Sequence, residues 1–380
     1  MSSAMRVAVP QEIREGEKRV ALVPDVINKL TRLGYEVVIE SGAGIHSQAT
    51  DAMYTAAGAT VKSGDVLSDA DVVLSVTSLT PSQISSLKKG AVTISFLSPV
   101  TAVDSIDAAV SAGVTSFSLE LVPRISRAQS MDALTSQALC AGYRAALVGA
   151  ELSPRFFPML MTAAGTVTPA QVLVLGAGVA GLQAIATARR LGAVVSAYDV
   201  RPSSADEVKS MGATFIELEL EALEGAGGYA REMTEDRAAK QRELLTPYIA
   251  KSHVVITTAA VPGRTAPRLM TSQMVDAMEA GTIIVDLAAE TGGNVEGSRP
   301  GEIVTTAKGV QIWGGKDVPS QLPFHASSLY SRNVVNLLTL MTTPSKDGAA
   351  VSINIDFADE IIDKAAVTHQ GSKHTPGGNN

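Results

Sequence analysis

At 380 residues the chain exceeds one typical domain, and we expect two domains. Its formal net charge of −7, without a run of basic residues, argues against nucleic acid as a partner. The single cysteine, Cys140, excludes an intrachain disulfide and is typical of a reducing cytoplasm. The longest uncharged window, 156–188, is interrupted by Pro158, Pro169 and four glycines, so no membrane span is predicted.

The first 120 residues alternate between predicted strands and helices. A polar loop at 11–19 follows the first strand, and the helix Pro24–Leu33 starts with proline and ends before Gly34. Strands are predicted at 5–9, 37–40, around Val61, and at 71–76, 91–96 and Thr115–Ser118. This βα repetition predicts a parallel sheet.

The second half of the chain continues the alternation after a long helix predicted over 130–152. Strands are predicted at Gln171–Leu175, 194–197, 214–218, 254–258 and 282–287. The pattern over 294–313 predicts a β-hairpin outside the main sheet, of a kind that often serves dimerisation. A second long helix, 324–340, is expected to return the chain to the first domain, and the Gly/Pro/Asn-rich tail from about Gly371 is expected to be disordered.

The predicted class is therefore α/β, with two Rossmann-like doubly wound parallel-sheet domains joined by long helices and with a protruding β-hairpin. The first domain is predicted to be discontinuous, with residues 1–133 and 321–380, and residues 134–320 form the second.

A glycine pattern in the second domain predicts a dinucleotide site. Gly176, Gly178 and Gly181 directly follow the apolar strand Gln171–Leu175 and open a helix, so a pyrophosphate can approach the backbone at the helix N-terminus. Asp199 lies 23 residues after Gly176, at the end of the next strand, where a carboxylate can accept both ribose hydroxyls of an adenosine. Because that carboxylate would repel a 2′-phosphate, the pattern favours NAD(H) over NADP(H).

An acidic and then glycine-rich insertion at 217–231 carries one aromatic side chain, Tyr229. It interrupts the sheet on the side where the cofactor is expected, so one interpretation is a lid. A flexible surface loop is the equal alternative.

Three motifs are more specific than the fold. They are Pro-Arg-Ile-Ser-Arg-Ala-Gln-Ser-Met-Asp at 123–132, Met-Thr-Ala-Ala-Gly-Thr-Val at 161–167 and Gly-Gly-Tyr-Ala-Arg-Glu-Met at 227–233. Together they resemble the NAD(H)-binding component, domain I, of the proton-translocating nicotinamide nucleotide transhydrogenases, the soluble portion of the alpha subunit. The resemblance extends from Arg6 to about Thr342.

This resemblance implies a Re/Si-specific NAD(P)⁺ transhydrogenase that passes hydride from NADH to NADP⁺ held on a partner subunit, coupled to proton movement. It further implies that Arg124, Gln129 and Asp132 hold the nicotinamide ring and its ribose and are the catalytic residues. On spacing alone, Arg124 and Asp132 could equally form a solvated ion pair. Hydride transfer removes no substrate proton, so it needs positioning rather than a general base.

The resemblance also assigns cofactor contacts beyond these three residues, and it implies no metal site. They are Thr135 and Ser136 near the carboxamide, Gly228 and Tyr229 in a loop that closes on the nucleotide, and the fingerprint with its neighbours, Gly176, Gly178, Val179, Ala180, Gly181, Asp199, Val200 and Arg201.

The partners implied are membrane-spanning and NADP(H)-binding transhydrogenase subunits on other chains, with a second copy of this chain forming a homodimer. The expected location is cytoplasmic, peripheral on the inner face of the cytoplasmic membrane through those partners.

Two other functions stay open at this point. The opening Arg-Val-Ala-Val-Pro at 6–10 is similar also to alanine dehydrogenase, and Arg19 matches that enzyme's substrate-carboxylate arginine. Alanine dehydrogenase needs a lysine and a histidine for acid/base chemistry, but the corresponding regions, 75–78 and 95–99, contain neither. A non-catalytic NAD(H)-binding module is the other alternative.

Overall fold

The computed structural model describes residues 4–220, 234–260, 263–343 and 351–377. The chain divides into two compact units, Met1–Gln137 with Ser320–Asn380, and Ala138–Pro319. None of the helices in the described ranges is long and apolar enough to cross a membrane.

The strands of the described residues are, in chain order, β1 Arg6–Val9, β2 Glu36–Glu40, β3 Thr60–Lys62, β4 Val72–Thr77, β5 Val92–Phe96, β6 Thr115–Ser118, β7 Leu160–Thr162, β8 Gly165–Val167, β9 Gln171–Leu175, β10 Val194–Tyr198, β11 Thr214–Phe215, β12 Val254–Thr257, β13 Ile283–Asp286, β14 Ile303–Thr305, β15 Gln311–Gly314, β16 Thr342–Thr343, β17 Ser352–Ile353, β18 Ala366–His369 and β19 Ser372–Lys373. The α-helices are α1 Pro24–Leu33, α2 Asp51–Ala56, α3 Pro81–Ser85, α4 Val103–Ala112, α5 Ala133–Leu152, α6 Val179–Arg190, α7 Ser204–Ser210, α8 Glu235–Ala250, α9 Ser272–Asp276, α10 Pro323–Leu340 and α11 Glu360–Ala365.

The first unit is built on an eight-stranded sheet in the order β19-β18-β6-β5-β4-β1-β2-β3. Strands β1 to β6 pair in parallel, whereas β18 is antiparallel to β6, and β19 to β18. Helices cover both faces: Ile27 of α1 and Val334 of α10 lie in one apolar cluster, Ile84 of α3 and Ala109 of α4 in the other. The central strands are therefore apolar on both sides, as in doubly wound folds.

The second unit has a seven-stranded sheet in the order β11-β10-β9-β12-β13-β15-β14. All its pairs are parallel except β14 with β15. Ala145 of α5 and Ala184 of α6 pack on one face, and Leu245 of α8 and Met274 of α9 on the other. With the sheet order reversing next to β9, the carboxyl ends of β9 and β12 flank the crevice where such folds bind ligands.

The hairpin predicted over 294–313 is wrong in its placement. Strand β15 pairs in parallel with β13, so β14 and β15 extend the main sheet instead of leaving it. The physical reason is that Ile312 is buried in the core beneath this sheet and needs a neighbouring strand to cover it. The hairpin outside the main sheet is formed by β7 and β8.

The tail also differs from the sequence-based expectation. Ser372 and Lys373 pair with β18, although composition predicted disorder from Gly371. The His374 side chain is almost completely buried, with its Nε2 2.9 Å from Asp363 Oδ1 and its ring stacked on Phe357. These contacts fix a segment whose glycines and proline would not order it locally.

The predicted fold class is confirmed: α/β, with two parallel-sheet units and a small antiparallel hairpin. The long helix predicted from Ser130 begins later, at Ala133, because Ser126–Met131 forms a 3₁₀ helix.

Candidate functional site

The glycine turn between β9 and α6 has the geometry of a phosphate cradle. Gly176 has φ +103°, and a Cβ there would lie 2.6 Å from Thr258 Oγ1. A Cβ on Gly181 would lie 1.8 Å from the Gly176 carbonyl oxygen. Gly178 precedes the first helical residue, and a Cβ there meets nothing within 4 Å, so the space above it is open to a ligand.

The first turn of α6 is held from behind by α5. A Cβ on Gly142 of α5 would lie 2.0 Å from the carbonyl oxygen of Ala180, so only glycine allows the two helices to approach this closely. Val179 and Ala180 are half-buried in that turn. The backbone N–H groups that would meet a phosphate are therefore rigidly placed.

Asp199 follows β10 and reaches the turn. Its Oδ2 accepts the Ala177 N–H at 2.7 Å and the Arg201 Nη2 at 3.0 Å, and its Oδ1 accepts the Arg201 backbone N–H and Nε, both at 2.9 Å. The carboxylate predicted to bind ribose hydroxyls is thus fully hydrogen-bonded to protein. Val200, between the two, packs against the core.

A second strand end completes this edge of the sheet. Thr258, directly after β12, donates from Oγ1 to the Gly176 carbonyl at 3.0 Å. Asn294 fixes the next residue, because its Oδ1 accepts the Ala259 N–H at 3.0 Å and its Nδ2 donates to the Ala259 carbonyl at 2.7 Å. The sequence patterns did not single out Thr258 or Asn294. A polar residue just after a buried strand next to the fingerprint strand was the available signal for Thr258.

Asp286 is the buried anchor beneath that loop. Its carboxylate accepts the Thr257 hydroxyl at 3.1 Å and the backbone N–H groups of Ala288, Asn294 and Val295 at 3.0 to 3.3 Å. The position of Asn294, and through it that of Ala259, is therefore set from the end of β13.

In the first unit, the loop predicted to hold the nicotinamide is tied down at both ends while two of its side chains are exposed. Arg127 makes two bonds to the Asp359 carboxylate, at 2.6 and 2.7 Å. The Ser130 carbonyl accepts from Asn333 at 2.9 Å and from Asn336 at 3.0 Å, both on α10. Arg124 and Gln129 are exposed on this loop.

Three other predicted contact residues have structural partners. Asp132 precedes α5, where its Oδ1 accepts the Thr135 N–H at 2.8 Å and its Oδ2 the Thr135 hydroxyl at 2.6 Å. Ser136 donates to Asn333 Oδ1 at 2.8 Å. These residues therefore hold the start of the helix in place. Gly228 and Tyr229 lie outside the described residues.

A cavity of about 520 Å³ lies in the first unit, at the carboxyl ends of β4 and β5. Its lining consists of Arg14, Arg19, Thr77, Ser78, Pro81, Phe96, Ser98, Thr101, Ala102, Asp104 and Ser105. Among these described residues there is no lysine and no histidine.

Arg19, the residue matched to the substrate-binding arginine of alanine dehydrogenase, is buried in an ion pair. Its Nε and Nη2 donate to Glu17 at 2.7 and 2.6 Å, and its Nη1 donates to Gln137 at 2.9 Å. Burial alone would raise the pKa of Glu17, but the hydrogen bonds and charge of Arg19, with a bond from Ser320, outweigh it and lower the pKa to about 2. The guanidinium is therefore already neutralised by a partner within the protein.

Comparison with known proteins agrees with this arrangement. Models of the N-terminal and C-terminal domains of alanine dehydrogenase/PNT match residues 8–141 and 145–376. The chain is 46% identical over 378 residues to the first segment of NAD(P) transhydrogenase subunit alpha of Rhodospirillum rubrum, covering 97% of each. It is 34% identical over 301 residues to alanine dehydrogenase of Mycobacterium tuberculosis, covering 78% of this chain and 76% of that protein.

A solved structure, the transhydrogenase from Sinorhizobium meliloti, superimposes with a TM-score of 0.84 at 42% identity, covering 97% of this chain and 98% of the other. The predicted recognition is thus confirmed: the chain belongs to the alanine dehydrogenase/PNT family, as a relative of the transhydrogenase alpha subunit.

Proposed function

We propose that this chain is the NAD(H)-binding subunit of a proton-translocating transhydrogenase, which passes hydride between NADH and NADP⁺ bound on a partner subunit. The observation that carries the proposal is the cradle at Gly176, Gly178 and Gly181, next to Asp199. The open space above Gly178 fits a pyrophosphate, and the first turn of α6 supplies the N–H groups to bind it. The relatives named transhydrogenase subunit alpha support the same function.

The nicotinamide half of the cofactor is assigned to the loop of Arg124, Gln129 and Asp132, with Thr135 and Ser136 behind it. When bound, the cofactor supplies the hydride, so the protein needs to position rings rather than to move a proton. Rigid anchoring by Asn333 and Asn336 serves this purpose, since a misplacement of about 1 Å can slow a transfer roughly 10²-fold.

Alanine dehydrogenase activity is the second candidate, and the first unit argues against it. The lining of the cavity described above offers no lysine or histidine for acid/base steps. Arg19, which would hold a substrate carboxylate, is already paired with Glu17. We therefore expect no turnover of L-alanine with NAD⁺.

The proposal includes partners. A membrane-spanning subunit and an NADP(H)-binding subunit would place this chain at the inner face of the cytoplasmic membrane, on the cytoplasmic side. A second copy of this chain is proposed to complete a homodimer.

The test is a single-turnover mixture of this protein, loaded with NADH, and an NADP-binding domain of a transhydrogenase loaded with a nicotinamide analogue. Stopped-flow absorbance should show hydride transfer. NADH binding without transfer would leave only a non-catalytic NAD(H)-binding module, and turnover of L-alanine would favour the dehydrogenase.

The same mixture tests the nicotinamide loop. Gln129→Asn removes one methylene and should slow transfer roughly 10²-fold while changing NADH affinity only a few-fold. The control is the same shortening at Gln273, which is exposed on α9. A collapse of affinity with an unchanged transfer rate would make Gln129 a binding residue only.

A further inference from the structure

The Asp199 carboxylate has its hydrogen-bonding capacity filled. A carboxylate offers about four acceptor positions. Here Oδ1 takes the backbone N–H and Nε of Arg201, and Oδ2 takes the Ala177 N–H and Arg201 Nη2. The side chains of Asp199 and Arg201 are 8% and 18% exposed, so the pair forms a nearly buried, neutral unit at the end of β10.

The four bonds differ in how easily they can be given up. The Ala177 N–H belongs to the glycine turn, whose backbone is fixed by the Gly176 N–H on the Tyr198 carbonyl at 2.8 Å and by Thr258. The backbone N–H of Arg201 is likewise part of a turn, since the Arg201 carbonyl accepts from Ser204. The guanidinium hangs on rotatable bonds and is the more exposed partner. Only its two bonds can be released without moving the backbone.

Release of the guanidinium opens one acceptor position on each carboxylate oxygen. That is what two neighbouring hydroxyls of a ribose require. We propose that the Arg201 fork occupies the ribose position of the nucleotide-free protein, that an entering adenosine ribose displaces it, and that Arg201 thereby sets the selectivity between NAD(H) and NADP(H). This inference rests on the proposed function, because it assumes that the cradle binds a dinucleotide.

Displacement places the released guanidinium beside the 2′ position of the ribose. A guanidinium there binds a 2′-phosphate in bidentate fashion, which is the interaction NADP-binding sites use. Arg201 therefore has two opposing effects. It competes with the 2′-hydroxyl for Asp199, and it offsets the repulsion between Asp199 and a 2′-phosphate.

The experiment is calorimetric titration of the full chain with NADH and with NADPH, for the natural protein, Arg201→Ala and Arg201→Lys. In Arg201→Ala the affinity for NADH should rise and that for NADPH should fall, so that the ratio of the two affinities increases about tenfold or more. Arg201→Lys keeps the charge without the fork, so NADH should bind more tightly while NADPH binding is retained. Arg190→Ala, at the far end of α6, removes the same side chain and should change neither affinity.

Thermal unfolding of each variant checks the fold, and Arg201→Lys carries the test if the alanine variant unfolds. An affinity ratio within about twofold of the natural protein's in both variants, or NADH binding weakened in both, would overturn the role of Arg201 alone. A natural protein that binds neither nucleotide would overturn the proposed function together with this inference.

Discussion

Glu17 and Arg19 form a buried pair whose charges are held together by two short hydrogen bonds. Gln137 and Ser320 supply further partners, so the pair is satisfied within the first unit. A well-paired buried carboxylate stays charged to low pH, which is why the pKa of Glu17 falls to about 2 although burial opposes this. The pair therefore serves the fold at the position matched to the substrate-binding arginine of alanine dehydrogenase.

Replacing Glu17 with glutamine should therefore destabilise the protein in a pH-dependent manner. Removing one partner of a buried pair costs about 3–5 kcal/mol because the other charge is left uncompensated. Since the pKa of Glu17 is lower in the folded protein than its ordinary value of 4.5, the contribution is present above about pH 4.5 and is lost as the pH falls towards about 2. Urea unfolding followed by circular dichroism should show the largest loss near neutral pH and a shrinking loss below about pH 4.5.

Glu15→Gln is the control, because Glu15 is exposed on the same loop. It should change the free energy of unfolding by no more than about 0.5 kcal/mol. A loss in Glu17→Gln that is independent of pH would contradict the assignment of the pair as the stabilising group.

The turn between β9 and α6 shows that glycines in one motif have different physical reasons. Gly181 has no room for a Cβ, because the Gly176 carbonyl oxygen would lie 1.8 Å from it. Gly178 has ample room and a φ of −78°, which any residue adopts. The first glycine type is needed for folding, and the second only for access of a ligand to the backbone.

Alanine at these two positions should separate stability from binding. Gly181→Ala forces backbone atoms apart and should lower the free energy of unfolding by about 1–3 kcal/mol or more. Gly178→Ala should leave stability within about 0.5 kcal/mol but weaken NADH binding about tenfold or more, because the methyl group stands where the pyrophosphate approaches the backbone. Thermal unfolding and calorimetry measure the two effects, and undiminished NADH affinity in Gly178→Ala would show that the phosphates bind elsewhere.

The hairpin of β7 and β8 gives the second unit an exposed apolar surface. Met161 is 79% exposed and Met159 is 60% exposed, with Leu160 beside them. The strands pair only with each other among the described residues, so both hairpin edges are open. We propose that a second copy of the chain covers this hairpin.

Met161→Glu should then weaken the homodimer, since it would bury a charge at the contact. Sedimentation equilibrium should show the dissociation constant rising about tenfold or more. Met211→Glu is the control, because Met211 is 43% exposed at the end of α7, away from the hairpin. A dimer equally tight in both variants would exclude the hairpin as its contact, and a monomeric natural protein would exclude the homodimer.

The sequence by itself determined the two parallel sheets and the position of the glycine turn. The reason is that these features are local: an apolar run of strand length, three glycines at fixed spacing and a carboxylate after the next strand all lie within about 30 residues. The same locality supported the helices Pro24–Leu33 and Pro323–Leu340, whose starts are marked by proline.

The tertiary structure decided which side chains are already engaged and which strands leave the sheet. Partners far apart in sequence make these decisions: Arg19 meets Gln137, Arg127 meets Asp359, and Ser130 meets Asn333. Strand β15 joins β13 because burial of Ile312 outweighs the local hairpin pattern. Asp199 and Arg201 are neighbours in the sequence, but only the fold brings the Ala177 N–H to the same carboxylate and fills its last acceptor position.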